Sequence, residues 1–258
     1  MSVRQLLDLT GRTAIITGGS RGLGLQIAEA LGEMGAKVAL TARKQDELDE
    51  AVRHLGKMGI EAHAWVCDIG RREMIPGEFD RILGKFGRLD ILVSNAGAVW
   101  GAPAEDHPLE AWDKLVALNL VGGFVMAQQA AKKAMIPAKW GRIIFVASVA
   151  GLTASDPAVV RTVSYNATKH GVVGMAKQLA AEWGEYGITV NAVCPGFFPS
   201  KMTRATLDTT GELVRKVTPT RRLGGPEDLK GLAVLLASEA SRHITGQAIA
   251  VDGGAMLI

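Results

Sequence analysis

Short apolar segments rich in β-branched residues recur along the chain, and stretches with helical periodicity separate them. Such near-continuous apolar runs predict strands that are covered on both faces of a sheet. The predicted strands span residues 13–17, 37–41, 62–67, 89–94, 142–148, 188–194 and 247–251. The predicted helices span residues 22–34, 45–57, 72–86, 109–133, 164–184 and 227–238, the last beginning just after Pro226.

Alternation of strand and helix predicts βαβ units and hence a parallel sheet. Because the crossovers are right-handed, we expect an α/β, doubly wound, Rossmann-type fold with helices on both faces. No repeat or low-complexity tract interrupts the pattern, so residues 1–258 are predicted to form a single domain. The alternation breaks only over residues 195–225, where three prolines and a glycine pair predict an irregular substrate loop.

The composition argues against several functional classes. With 258 residues, 48% of them apolar and 21% charged, the chain can bury a sizeable core. A formal charge of +3 without a basic run argues against nucleic acid, and no apolar run is long enough for a membrane span. Residues 1–10 lack the apolar core of a secretory signal. Cys67 and Cys194 each end a predicted strand, so we expect buried free thiols in the reducing cytoplasm.

A glycine-rich turn follows the first predicted strand. The stretch TGGSRGLG, residues 17–24, places Gly18, Gly22 and Gly24 between a strand and a helix. Glycines let the backbone approach a pyrophosphate, which the free N–H groups of the helix N-terminus would bind. At the first βα turn this pattern predicts a dinucleotide site rather than a turn that serves packing alone.

The end of the second strand bears on the choice of dinucleotide. An NAD site usually carries an acid here for the ribose hydroxyls, but this chain has Ala42, Arg43 and Lys44. Arg21 in the glycine turn can reach the same corner. Because an arginine binds a 2′-phosphate through two parallel hydrogen bonds, we predict NADP(H) over NAD(H). The alternative is that Arg43 and Lys44 are solvated charges at a helix start.

Two more strand ends carry candidate cofactor contacts. Asp68 ends the third predicted strand, where its carboxylate would accept from an adenine amino group or cap the next helix. The tetrapeptide SNAG, residues 94–97, closes the fourth strand, and Asn95 with its small neighbours suits a backbone that passes close to a cofactor.

Six motifs occur together in a fixed order, ending with YNATK and Pro195-Gly196. They are TGxxxGxG, NAG, the Asn119 of ALNLVG, the Ser148 of VASVAG, YxxxK and PG. In these motifs the chain resembles the classical short-chain dehydrogenase/reductase family, and 3-oxoacyl reductases among its members, over essentially its whole length. The resemblance implies a seven-stranded parallel sheet in the order 3-2-1-4-5-6-7. It also implies nicotinamide-dependent carbonyl reduction or alcohol oxidation.

Tyr165 and Lys169 of YNATK lie one helical turn apart, so both side chains face the same side. Hydride delivery to a carbonyl leaves negative charge on oxygen, where a proton must arrive. A free phenol has a pKa of about 10, which is high for proton exchange near neutrality. A neighbouring ammonium favours the phenolate and lowers that pKa. We therefore predict Tyr165 as the general acid in reduction and the base in oxidation, with Lys169 as its tuner.

The resemblance implies the remaining roles. Ser148 orients the substrate oxygen as an oxyanion stabiliser does, and Lys169 also holds the nicotinamide ribose. Asn119 holds a water that connects Lys169 to solvent, or bends its helix, or does both. The predicted cofactor-binding set is Gly18, Ser20, Arg21, Gly22, Leu23, Gly24, Arg43, Lys44, Asp68, Ile69, Asn95, Ala96, Gly97, Tyr165, Lys169, Pro195, Gly196 and Phe198.

The chain departs from the family in the distance between Ser148 and Tyr165, which is longer than usual. The extra residues fall within 153–163 and are predicted to cover the substrate. No metal site is predicted, because His107, His170 and His243 lack ligands at metal-binding spacing.

The predicted substrate pocket is apolar. Besides Ser148 and Tyr165 it contains Trp100, Val149, Phe197 and Met202, which suits a 3-oxoacyl or other hydrophobic ketone. A sugar-acid or polyol dehydrogenase of the same family is the alternative. A catalytically silent, nucleotide-binding regulatory protein is an alternative of another class, against which the intact Ser148, Tyr165 and Lys169 argue.

The family's assembly is a tetramer, and the resemblance implies one here. Helices 109–133 and 164–184 would pair across one two-fold axis. The last strand and the apolar tail at residues 256–258 would pack across another.

Overall fold

The fold is a seven-stranded parallel sheet with helices on both faces, as predicted. A computed structural model of the protein describes residues 1–257; Ile258, part of the predicted tail contact, lies outside the described residues. The strand order is β3-β2-β1-β4-β5-β6-β7, and every neighbouring pair is parallel. The strands are β1 Thr13–Thr17, β2 Lys37–Ala42, β3 Ala62–Val66, β4 Ile91–Ser94, β5 Gly141–Val146, β6 Ile188–Pro195 and β7 Ala248–Val251.

Within residues 1–257, ten α-helical segments surround the sheet. They are α1 Val3–Leu7, α2 Gly22–Glu33, α3 Gln45–Lys57, α4 Ile75–Phe86, α5 Leu109–Leu115, α6 Gly123–Ala130, α7 Ile136–Ala138, α8 Val163–Trp183, α9 Arg204–Val217 and α10 Lys230–Ala237. Two π-helical segments, Val116–Gly122 and Ala131–Met135, join α5, α6 and α7 end to end.

The two faces of the sheet form two separate cores. Successive strand residues point to opposite faces, so Ile15 joins one core and Ile16 the other. Helices α4, α6 and α8 cover the face of Ile15, whereas α2, α3 and α10 cover the face of Ile16. Residues of β1, β4, β5 and β6 are all buried, which explains why these strands are apolar without alternation.

The prediction that residues 195–225 form an irregular loop is wrong for the middle of this segment. Helix α9 occupies Arg204–Val217, and its buried residues are Gly211 and Val214. Threonines and a glycine lower the helix propensity of this stretch, and its buried stripe is narrow, so the sequence gives a weak helical signal. The last predicted helix also starts later than Pro226 indicated, because a turn precedes Lys230.

An ionic cluster closes the edge of the sheet where the strands begin. Asp90 accepts hydrogen bonds from Arg12 at 3.0 Å, from Arg88 and from the backbone N–H of Thr13 at 2.9 Å. The Trp140 ring stacks against the guanidinium of Arg12, 3.7 Å from the ring centroid. This cluster lies at the opposite end of the strands from the glycine turn, and it therefore concerns stability rather than the site.

Both cysteines are buried free thiols, as predicted. Within residues 1–257 no helix is both long and apolar enough to cross a bilayer. The same residues contain no cluster of three or more His, Cys, Asp or Glu side chains that could hold a metal ion.

Candidate active site

The glycine turn between β1 and α2 forms a cradle that only glycine permits. Gly18 and Gly22 have φ angles of 64° and 55°, in the left-handed region. A Cβ atom at Gly24 would lie 2.4 Å from the carbonyl oxygen of Gly18, whereas one at Gly22 would meet nothing within 4 Å. The turn is thus tightly packed at Gly24 and has free space beside Gly22. Because the first N–H groups of α2 have no intrahelical acceptor, the open side fits the pyrophosphate of a dinucleotide.

Asn95 fixes this turn to the end of β4. Its side-chain amide donates to the carbonyl oxygens of Thr17 at 3.0 Å and Gly18 at 3.1 Å. In return the Thr17 hydroxyl accepts from the backbone N–H groups of Asn95 and Ala96, both at 3.0 Å. The side chain of Asn95 therefore holds the cradle in place, and the neighbouring backbone is what remains for a ligand.

The corner beyond β2 is positively charged but contains one acid that sequence reasoning missed. Arg43 and Lys44 are exposed after Ala42. Arg21 forms an ion pair with Glu47 of α3 at 2.6 Å, and Lys44 lies 3.6 Å from the same carboxylate. Glu47 follows Arg43 in the sequence by about one helical turn. This spacing could have indicated that both side chains face the same corner.

Asp68 and Phe198 serve the local structure through their side chains. The Asp68 carboxylate accepts from the backbone N–H of Gly70 at 3.0 Å and closes a local turn, whereas Arg71 stands at the N-cap of the 3₁₀ turn that follows, so Asp68 does not cap the next helix. Ile69 is buried in the core. Phe198 is only 4% exposed, and its ring fills the space beside Gly224. Phe198 can therefore offer a ligand little beyond its main chain.

Pro195-Gly196 ends β6 at the same edge of the sheet. The backbone N–H of Gly196 donates to Val251 at 3.0 Å, and a Cβ atom at Gly196 would lie 2.9 Å from that of Asp252. A side chain here would push β6 and the segment after β7 apart. Glycine at this position thus allows the end of β6 and the segment after β7 to lie close together.

Ser148 follows β5 and caps a short 3₁₀ turn, Val149–Gly151. Its hydroxyl oxygen accepts from the backbone N–H of Ala150 at 3.1 Å, and its hydroxyl hydrogen can be donated to an acceptor on the side of Tyr165. The turn packs directly on α8, because a Cβ atom at Gly151 would lie 2.6 Å from the carbonyl oxygen of Lys169. This close approach brings Ser148 to the helix that carries Tyr165 and Lys169.

The Lys169 ammonium lies inside the protein, 5.6 Å from the centroid of the Tyr165 ring. Lys169 is 5% exposed and donates to the carbonyl oxygen of Val146 at 2.8 Å. Burial lowers the pKa of Lys169 to about 8. No sequence signal marks Val146 as its partner, because a main-chain carbonyl is common to every residue.

The pKa of Tyr165 departs from the expectation. Burial raises it above the ordinary value of a phenol, and the hydrogen bond with Ser148 only partly opposes that effect. The expected lowering by Lys169 does not occur in this structure, where burial has the largest effect on the pKa of the phenol. The buried thiol of Cys194 lies close enough to act on both residues, and burial raises its own pKa to about 11.

Asn119 lies in the π-helical segment Val116–Gly122, where the helix departs from regular α-helical geometry. Its amide nitrogen donates to the Ala98 carbonyl at 2.9 Å and to the Thr168 hydroxyl at 3.1 Å, and its oxygen accepts from the Ala98 N–H. Both amide hydrogens are thus used by the protein. The widened turn aims this side chain between the loop after β4 and helix α8, as π-bulges at functional sites often do.

The residues predicted to contact substrate come from three loops at this edge. Trp100 and Met202 are 46% and 43% exposed, while Val149 and Phe197 are partly buried. The structure thus places apolar side chains on separate loops around the end of β5, where Ser148 stands.

The long segment between Ser148 and α8 is tied down by Asn166, which sequence reasoning also missed. The Asn166 amide donates to the Ser155 hydroxyl at 3.2 Å, and its oxygen accepts from the Thr162 hydroxyl at 2.8 Å. On the other side, the backbone N–H of Ala102 donates to the Arg161 carbonyl at 2.9 Å. We call residues 152–162 the insertion loop. It is held at one end by the residue next to Tyr165.

Comparison with known proteins agrees with this geometry. The family model for short chain dehydrogenase matches residues 12–211. D-threitol dehydrogenase of Mycolicibacterium smegmatis is 36% identical over 247 residues, which cover 95% of this chain and 93% of that protein. The 3-oxoacyl-(acyl-carrier-protein) reductase of Aquifex aeolicus is 33% identical over 249 residues, with coverage of 96% and 98%.

A solved structure is similar over the full length. The gluconate 5-dehydrogenase from Burkholderia cenocepacia, crystallised in complex with NADP and tartrate, matches with a TM-score of 0.94 at 34% identity and covers 100% of both chains. The glycine cradle, the six motifs and these matches agree. The chain belongs to the short-chain dehydrogenase family, and it is an NAD(P)-dependent oxidoreductase that acts on CH–OH and C=O groups.

Proposed function

We propose that the protein is an NADPH-dependent reductase of hydrophobic ketones, 3-oxoacyl compounds among them. The observation that carries this proposal is the position of the half-buried Tyr165 on α8, beside Ser148 and one helical turn from the buried Lys169. Its phenol is protonated at neutral pH, and burial raises its pKa further. A protonated phenol is the acid that reduction needs, whereas oxidation needs the phenolate. The exposed apolar side chains of Trp100 and Met202 support an apolar substrate.

In this proposal three side chains act on the substrate oxygen or on one another. A bound nicotinamide dinucleotide supplies the hydride in reduction and accepts it in oxidation. Ser148, whose oxygen accepts from the N–H of Ala150, donates its hydroxyl hydrogen to the carbonyl oxygen and orients it. Tyr165 gives its proton to that oxygen as the C–O double bond becomes a single bond. The Lys169 ammonium stabilises the phenolate left behind, which then recovers a proton from solvent.

The preference for NADP(H) rests on the corner after β2. No acid stands at Ala42, and Arg43 and Lys44 are exposed there beside Arg21. A 2′-phosphate would meet these cations, whereas an acid would repel it. Within residues 1–257, Arg43 forms no ion pair, so its guanidinium is available for such a ligand.

A sugar acid or polyol is the second candidate substrate, and the names of some relatives support it as the names of others support a 3-oxoacyl substrate. Proteins similar to this chain are named D-threitol dehydrogenase and gluconate 5-dehydrogenase. Arg161 is exposed in the insertion loop, where it would neutralise a substrate carboxylate. Direction and substrate are linked, because oxidation of a polyol requires the phenolate form of Tyr165.

A substrate panel with both cofactors tests the proposal. We expect NADPH-dependent reduction of 3-oxoacyl thioesters and cyclic ketones, with kcat/KM at least about tenfold above that with NADH. Higher kcat/KM for gluconate or threitol would establish the second candidate instead. In the Tyr165→Phe variant, activity should fall by about 10²- to 10⁴-fold while dinucleotide binding remains. Dinucleotide binding without turnover of any carbonyl would identify a catalytically silent protein.

A further inference from the structure

Glu47 occupies the corner that the 2′-phosphate of NADP would share. It belongs to the first turn of α3 and is 23% exposed, and its carboxylate contacts Arg21 at 2.6 Å and Lys44 at 3.6 Å. Two of the three cations at this corner are therefore already paired with an acid of the protein itself. Only Arg43 among them is unpaired within the described residues.

Glu47 lies in the first turn of α3, close to the N-terminus of that helix. A carboxylate in the first turn of a helix is stabilised by the partial positive charge of the helix N-terminus. The second acid of that turn, Asp46, is exposed and makes no ion pair within residues 1–257. The contact with Arg21 thus distinguishes Glu47 from an otherwise similar neighbour.

We propose that Glu47 is a specificity-determining residue that competes with the 2′-phosphate for Arg21. A phosphate carries a charge of about −1.5 to −2 at neutral pH, so it would be repelled by Glu47 and would have to share or displace its ion pair. NAD lacks that group, and the pair between Arg21 and Glu47 remains undisturbed when it binds. Glu47 therefore reduces the difference in affinity between NADP(H) and NAD(H), so that NAD(H) can still serve as the cofactor. This inference rests on the cofactor preference proposed above.

The isosteric variant Glu47→Gln tests the charge, and Asp46→Asn is its matched control. Dissociation constants for NADP⁺ and NAD⁺ are measured by calorimetry with each variant and the wild type. We expect Glu47→Gln to bind NADP⁺ about three- to tenfold more tightly and NAD⁺ within about twofold of wild type. The gain should shrink at high salt, because the corner is exposed. Asp46→Asn should change the ratio of the two constants by less than about twofold.

A double variant separates an effect through Arg21 from a general effect of charge. In an Arg21→Ala background, Glu47→Gln should lose most of its selective gain. An unchanged ratio in Glu47→Gln, or an equal gain in Asp46→Asn, would overturn the role of Glu47. The proposed preference is read separately, from the wild-type ratio and from its loss in Arg43→Ala. The wild type can therefore lack the proposed preference for NADP(H) while Glu47→Gln still alters the ratio of the two dissociation constants. Equally, the wild type can show the preference while Glu47→Gln leaves that ratio unchanged.

Discussion

The ammonium of Lys169 donates to the carbonyl oxygen of Val146 at 2.8 Å, at the end of the strand that leads to Ser148. This hydrogen bond fixes a buried cation against the main chain of β5. It uses one of three ammonium hydrogens and leaves two for other partners. Burial at this position lowers the pKa of Lys169 to about 8 while it raises that of Tyr165. The two shifts determine how the reaction should depend on pH.

The rate of reduction should fall above neutral pH. Reduction needs the Tyr165 phenol and the Lys169 ammonium, and Lys169 is the first to lose its proton as the pH rises, at about 8. We expect kcat/KM for reduction to be flat below that pH and to decrease above it, whereas oxidation should become faster as phenolate forms. Stopped-flow rates across the pH range measure both profiles. Lys169→Arg, which stays charged, should shift the decrease to higher pH; a reduction rate that rises through pH 8 would refute the assignment.

The same burial should make stability depend on pH. Lys169 binds its proton less tightly in the folded state, with a pKa of about 8 against the ordinary 10.5. Its burial is therefore unfavourable below pH 8, and the penalty is relieved as the pH rises between the two values. Relative to Lys169→Met, the wild type should gain about 2–3 kcal/mol of unfolding free energy between pH 7 and pH 10. Urea unfolding at both pH values measures this difference; a constant difference would contradict the buried charge.

Removing the Asn166 side chain should loosen the insertion loop without affecting dinucleotide binding. Asn166→Ala loses the contacts with Ser155 and Thr162, each worth about 1 kcal/mol. We expect KM for the carbonyl substrate to rise about three- to tenfold with kcat changed less than about twofold. The Asn166→Asp variant keeps the acceptor for Thr162, so its KM should lie between that of the wild type and that of Asn166→Ala. Equal losses in kcat and kcat/KM would instead assign Asn166 to the chemistry.

The ionic cluster at the other end of the strands should affect stability alone. Asp90 is 3% exposed and accepts from Arg12, Arg88 and the Thr13 N–H. Asp90→Ala leaves two cations and a buried N–H without their acceptor, which should lower the unfolding free energy by about 3 kcal/mol. Asp208→Asn, at an exposed position, is the control. A large loss of kcat/KM in folded Asp90→Ala would show that the two ends of the sheet are coupled.

We also expect the protein to assemble as a homotetramer. Phe124 of α6 is 38% exposed and Leu257 is 82% exposed, and both are large apolar side chains in the regions that the resemblance places at contacts. Light scattering should give four times the 27.3 kDa of one chain. Phe124→Glu should reduce that mass, and a monomeric wild type would contradict the expectation.

The fold was predictable because the buried strands are continuous apolar runs, and their positions need no tertiary information. The order of the seven strands came from the resemblance, whereas the glycine turn and the pair Tyr165 and Lys169 could be placed from the pattern of the residues. The structure brings Gly18, Ser148, Tyr165 and Lys169 to one edge of the sheet. Helix α9 was not predictable, since its glycine and threonines hide a narrow buried stripe. The pKa of Tyr165 was misjudged because the penalty of burial depends on packing from several elements, which a spacing of four residues does not contain.

The insertion loop enters from the turn after Ser148, which packs against α8 at Gly151, and returns at Thr162, whose hydroxyl donates to Asn166 of α8. Its two ends are thus held by the elements that carry Ser148 and Tyr165, while its middle makes few hydrogen bonds to the rest of the described residues. Such a segment can be replaced without changing its surroundings. A loop of different length and side chains, grafted between the same endpoints, would lie next to an unchanged Ser148 and Tyr165. Selection for new substrates can therefore proceed in this stretch without rebuilding the domain beneath it.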